Sequence, residues 1–75
     1  MTTLMWEAVA ADTDALVAWA RAYDAEGLTG KEVYVSADAR VVLVTHWAAE
    51  PPEALTPPAG TTQREGHAWR FTRVE

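Results

Sequence analysis

His46 and Trp47 close the run "VVLVTHW" at residues 41–47, and their types are the first in the chain to suggest a site. An imidazole can move a proton or bind a ligand, and an indole can wall an aromatic pocket. Later in the chain, Trp69 and Phe71 fall on alternate positions and offer a second aromatic wall, while Arg70 and Arg73 offer cations for an anionic substrate. Tyr23 and Tyr34 carry phenols able to donate a proton to a bound oxygen. Each residue also has a plainer reading. His46 can be an interface or surface imidazole, Trp47 core or dimer packing, Trp69 and Phe71 core, and the arginines rim cations paired with glutamate. Strand alternation sends His46 and Trp47 to opposite faces, so one pocket using both needs a bulge or twist at the strand end.

Composition narrows the chemistry. The chain has 75 residues, no cysteine and two histidines. That removes disulfides, thiolate metal sites and thiol catalysis, and leaves His46 and His67 unable to close a structural zinc site without carboxylates. No metal or organic cofactor is expected. The net charge is −5, and the six cations are scattered, so no basic face exists for nucleic acid. The start, "MTTLMWEAVAAD", has neither the basic region nor the long apolar core of a signal peptide, and no run approaches a membrane span. A cytoplasmic protein that binds neither nucleic acid nor membrane is the expectation. No glycine-rich phosphate loop, serine triad or metal-ligand spacing occurs. Asp12 and Asp14 read as helix-start residues rather than an acid–base pair.

The elements that must position these residues follow from periodicity. "TLMWEAVA" (3–10) reads as a strand, with Leu4, Trp6 and Ala8 on one face and Met5, Glu7 and Val9 on the other. Asp12 or Thr13 can cap a helix that Gly27 stops. Leu16, Trp19, Ala20 and Tyr23 form its core stripe. "EVYVS" (32–36) and "VVLVTHW" (41–47) read as a hairpin turning around Ala37–Asp38, and "HAWRFTRV" (67–74) reads as the last strand. Between them, residues 48–66 hold all four prolines. Pro51 and Pro52 suit the start of a single helical turn over 50–55, with Leu55 anchoring the segment as a cover. The order is strand, helix, strand, strand, short turn, strand: one α+β domain over 1–75 of ferredoxin-like type, its second helix replaced by the proline-rich segment 48–66. One helix cannot cover both faces of such a sheet, and strands 3–10 and 41–47 are apolar on both.

With "LMWEAVA", the helix bearing Trp19 and the block "VYVSADARVVLVTHW" in view, the chain resembles the antibiotic-biosynthesis-monooxygenase-like family of dimeric α+β barrels. The resemblance covers most of 3–47 and again 67–74. It implies a homodimer whose two sheets close face to face. Family members include cofactor-independent oxygenases of polycyclic aromatic substrates, haem-degrading enzymes and proteins with no known activity. Trp47 matches the family's strand-end tryptophan, which lines the pocket of the oxygenases. The chain lacks asparagine altogether, and with it the partner that this tryptophan has in several active members. The haem-ligating second helix is also reduced.

Two functions follow as expectations. One is a non-catalytic dimeric module that binds a partner or supports a biosynthetic enzyme. The alternative is a cofactor-independent monooxygenase or binding protein for an aromatic, polyketide-like molecule. Trp47, His46, Trp69, Tyr23 and Arg70 are the pocket candidates for the second. A cavity of about 300 Å³ or more around Trp47 would favour that small-molecule site, and a filled core would favour the module.

Overall fold

The structure is a computed structural model, and it describes residues 1–74; Glu75 of the expected domain lies outside them. Its elements run β1 (Thr2–Val9), α1 (Thr13–Ala22), β2 (Leu28–Val35), β3 (Arg40–Trp47) and β4 (His67–Thr72). The strands form one sheet in the order β2-β3-β1-β4, with every neighbouring pair antiparallel. This small α+β domain of one helix and four strands is compatible with a ferredoxin-like fold.

Local chemistry sets the helix bounds. The Asp12 carboxylate accepts from the Ala15 backbone N–H at 3.1 Å, satisfying one donor of the first turn, and Asp14 sits at the positive end of the dipole. The helix ends earlier than the sequence pattern suggests. Tyr23 already has extended backbone, and Gly27, at φ +88°, shapes the turn into β2 rather than the helix stop. The end is closed by Lys31 of β2, whose ammonium donates to the carbonyls of Ala20, Arg21 and Tyr23. A cation on the exposed carbonyls offsets the negative end of the dipole.

Helix α1 packs on the face formed by Leu4, Trp6 and Ala8 of β1 and Val41, Leu43, Thr45 and Trp47 of β3, all buried. Leu16 and Ala20 are fully buried beneath it. Trp19 and Tyr23, from the same stripe, complete an edge-to-face series: Trp6 to Trp19 at 5.2 Å, Trp19 to Tyr23 at 5.8 Å, and Tyr23 to Trp47 at 6.4 Å between ring centroids. Such pairs contribute about 0.5–1.5 kcal/mol each beyond their buried area. They form the seam between helix and sheet.

The segment after β3 crosses the same side of the sheet without a helical turn; residues 50–55 are irregular. The consecutive prolines that suit a helix start also remove two backbone donors from it. The segment is anchored instead by side chains and at its two ends. Pro51, Leu55 and Thr61 are buried, and Arg70 of β4 pairs with Glu50 and reaches the Pro52 carbonyl. At its far end the Thr61 carbonyl accepts from Ala11, and Gln63 donates its backbone N–H to Val9 and its side-chain amide to Ala10.

Gly66 then passes directly over Trp6. A Cβ built there would lie 2.5–2.6 Å from the indole ring, closer than packed atoms tolerate. Gly66→Ala is therefore expected to force Trp6 or the strap to move and to lower stability by about 1–3 kcal/mol. Chemical denaturation of the variant beside the parent protein measures this, and an unchanged midpoint would contradict the packing.

Candidate functional site

The register of the sheet sorts the candidate residues onto two faces. Trp47 and Tyr23 lie on the helix side, in ring contact with each other. Arg70 lies on that side too, opposite Leu4, at the sheet edge. His46 and Trp69 lie on the other side, opposite Thr3 and Met5 of β1. The five candidates therefore do not converge on one pocket.

Trp47 is 1% exposed. Its indole N–H donates to the Thr45 hydroxyl at 2.7 Å, and that hydroxyl donates to the Leu4 carbonyl at 2.9 Å. The polar handle of the tryptophan is thus satisfied inside the core and is not offered to a ligand. Tyr23 closes over the ring from the helix end, and burial pushes its phenol above the ordinary range. The cavity nearest this corner, about 330 Å³ and widely open to solvent, is lined by Ala22, Tyr23, Asp24 and Leu28–Lys31, not by Trp47. Its cation, Lys31, is already committed to the helix carbonyls.

The opposite face is built differently. Rows of side chains run across all four strands there. Gly30, His46, Thr3 and Phe71 form one row, Glu32, Val44, Met5 and Trp69 the next, and Tyr34, Val42, Glu7 and His67 the third. Neither the helix nor the proline-rich segment covers them. Trp69, Phe71 and Tyr34 are 42%, 52% and 55% exposed. Trp69 and Phe71, open in the sequence to an aromatic-wall or a core reading, form an exposed aromatic surface, with His67 tilted against Trp69 at 6.2 Å. Two polar pairs punctuate it: Arg40 with Glu7 at 3.1 Å, and His46 with Glu32 at 2.9 Å.

His46 is held at both ring nitrogens. Nε2 meets the Glu32 carboxylate at 2.9 Å and Nδ1 meets the Thr3 hydroxyl at 3.1 Å. A bulge between Leu28 and Gly30 marks the β2 end of this row, and Gly30 is the cross-strand neighbour of His46. Neither Thr3 nor Glu32 stands out in the sequence. The hairpin register does carry a signal for the second, because a turn at 36–39 sets Glu32 opposite Val44, diagonal to His46.

At that turn the Ser36 hydroxyl bonds the Asp38 carboxylate and accepts from the Arg40 backbone N–H, and Ala39 takes φ +65°. The Ser36 bond, ahead of the Arg40 charge, holds the Asp38 carboxyl below its ordinary value. These are turn-forming interactions. The described residues hold no cluster of three or more metal-ligating side chains, and no helix among them is long and apolar enough to cross a membrane. Compared with known proteins, the chain matches no family model, no curated protein and no solved structure.

Because Trp47 fills the core and anchors the aromatic seam, Trp47→Ala is expected to cost about 3–5 kcal/mol of stability, as large core truncations do. Urea unfolding followed by circular dichroism measures it. A loss below about 1 kcal/mol, the range of conservative core exchanges, would instead identify Trp47 as a pocket wall.

Proposed function

We propose that the chain is a small homodimeric domain of the dimeric α+β barrel kind, similar to the antibiotic-biosynthesis-monooxygenase-like family, serving as a binding or accessory module. One observation carries this reading: the sheet face opposite the helix leaves Met5, Val42, Val44, Trp69, Phe71 and Tyr34 without a covering layer.

A second copy of the chain suits that face. Strands about 4.8 Å apart with a rise of about 3.3 Å per residue give it roughly 400–500 Å² in projection. With side-chain relief, two such faces approach the ~1,200 Å² lower end of stable interfaces. Charge also fits. Arg40 neutralises Glu7 within each chain, and His46 hydrogen-bonds the Glu32 carboxylate, so both acids of the face already have partners in their own chain. Pairing further supplies the buried area that a chain of this size lacks alone. The alternative, an oxygenase or binding protein for an aromatic molecule at Trp47, needs free space beside the indole. Tyr23 and Thr45 occupy its ring edge and its donor.

Sedimentation velocity at micromolar concentration is expected to give a dimer, and Val44→Glu, a charge set between Glu32 and Met5 in the middle row, to give a monomer or an unfolded chain. A parent protein that stays monomeric at these concentrations would refute the pairing.

A further inference from the structure

The row Gly30–His46–Thr3–Phe71 lies near one end of the open face, at the starts of β1 and β2 and the ends of β3 and β4. It therefore sits at the mouth of a face-to-face pair rather than at its centre. Within this row a hydroxyl, an imidazole and a carboxylate are joined in series: Thr3 Oγ1 to His46 Nδ1 at 3.1 Å, and His46 Nε2 to Glu32 at 2.9 Å. An ionised carboxylate can only accept, so the proton shared with Glu32 belongs to Nε2. Nδ1 of the neutral ring is then the acceptor, and the Thr3 O–H donates to it. A hydroxyl within hydrogen-bond reach of a base that a third group orients is the arrangement that activates a nucleophile. On its other side Thr3 has Phe71 as its cross-strand neighbour, with Trp69 one row further along the same exposed strand.

We propose that Thr3 is an activated nucleophile for the acyl group of aryl esters, with His46 as its general base and Glu32 as the positioning residue that fixes the imidazole. Thr3 Oγ1 attacks the ester carbonyl carbon while His46 Nδ1 takes the hydroxyl proton. The carbonyl re-forms, the bond between the acyl carbon and the phenolic oxygen breaks, and His46 returns the proton to the departing phenol, whose ring stacks on Phe71. Water then attacks the acyl-threonine with His46 again accepting a proton; the acyl carbon–Oγ1 bond breaks, His46 gives that proton to Thr3 Oγ1, and the carboxylic acid leaves. The net reaction is ester plus water to acid plus phenol, with no oxidant or cofactor. Thr3 lies in a strand paired on both sides, so its backbone is committed to the sheet. The rate gain is then that of general-base activation, roughly 10²–10⁴-fold. The site goes beyond the pairing reading: all three groups come from one chain, and the hydroxyl and the imidazole lie in the end row of the face proposed to pair.

The test is incubation of the full chain with p-nitrophenyl acetate, following phenolate release and mapping the acetyl group by peptide mass spectrometry. The expected result is acetyl on Thr3, with release slowed about a hundredfold by Thr3→Val and by His46→Ala, and retained by Thr3→Ser. Glu32→Gln is expected to lower the acylation rate without changing the half-saturating ester concentration. His67→Ala, outside the relay, is expected to leave the rate unchanged. Acetyl found in the parent protein only on Lys31, the N-terminus or His46 would overturn the proposal whether or not the variants fold. Equal release by the parent and a folded Thr3→Val would overturn it as well.

Discussion

A sheet has two faces, and this chain has material to cover one. The single helix and the proline-rich strap both lie on the side of Leu4, Trp6, Leu43 and Trp47, and the buried cluster is confined to that side. Everything else in the molecule follows from this asymmetry. The covered face gains its order from aromatic edges and one threonine. The uncovered face keeps an apolar, aromatic surface that an isolated small domain gains nothing by exposing to water.

On the covered side the packing is specified by few residues. Trp6, Trp19, Tyr23 and Trp47 meet edge to face along the helix, so each ring fixes the position of the next. Thr45 resolves the one polar difficulty this creates, accepting from the Trp47 indole while donating to the Leu4 carbonyl. Among the described residues no buried side-chain polar atom lacks a partner. Lys31 plays a matching role at the rim, since its ammonium, carried on the edge strand β2, holds the last carbonyls of the helix. A tryptophan used in this way is a structural anchor, and the consequence for function is direct. The side chains left open to solvent contact, His46 and Trp69 among them, lie on the other side of the sheet.

Much of this was legible in the sequence. Alternation in "VVLVTHW" places Trp47 with Val41, Leu43 and Thr45 and sends His46 the other way, and the structure has both so. The helix stripe of Leu16, Trp19, Ala20 and Tyr23 is equally plain from its spacing. Other features depend on partners distant in the chain. β2 begins at Leu28 because its first residues pair with Trp47 and His46 across a bulge, which a propensity reading starting at Glu32 misses. The early helix end depends on Lys31, and the strap stays irregular because Arg70 and the Val9–Asp12 junction hold it extended. Trp69 and Phe71 read equally as an aromatic wall or as core; their exposure follows from a strand order that places β4 at an edge and from a register that turns them to the uncovered face. The Thr3–His46–Glu32 series needs three strands in register, and one sequence supplies only the hairpin half of that information.

In the proposed pairing a second copy covers the open face. Hydroxyl-radical footprinting read residue by residue, over a dilution series from high to low micromolar protein, tests it most directly. Met5 and Trp69 lie in the middle row of that face, while Trp19 lies on the helix side and serves as the internal reference. Pairing lowers the oxidation of Met5 and Trp69 together as concentration rises, with Trp19 constant. Oxidation of all three at ratios independent of concentration, in a protein that sediments as a monomer, would refute it.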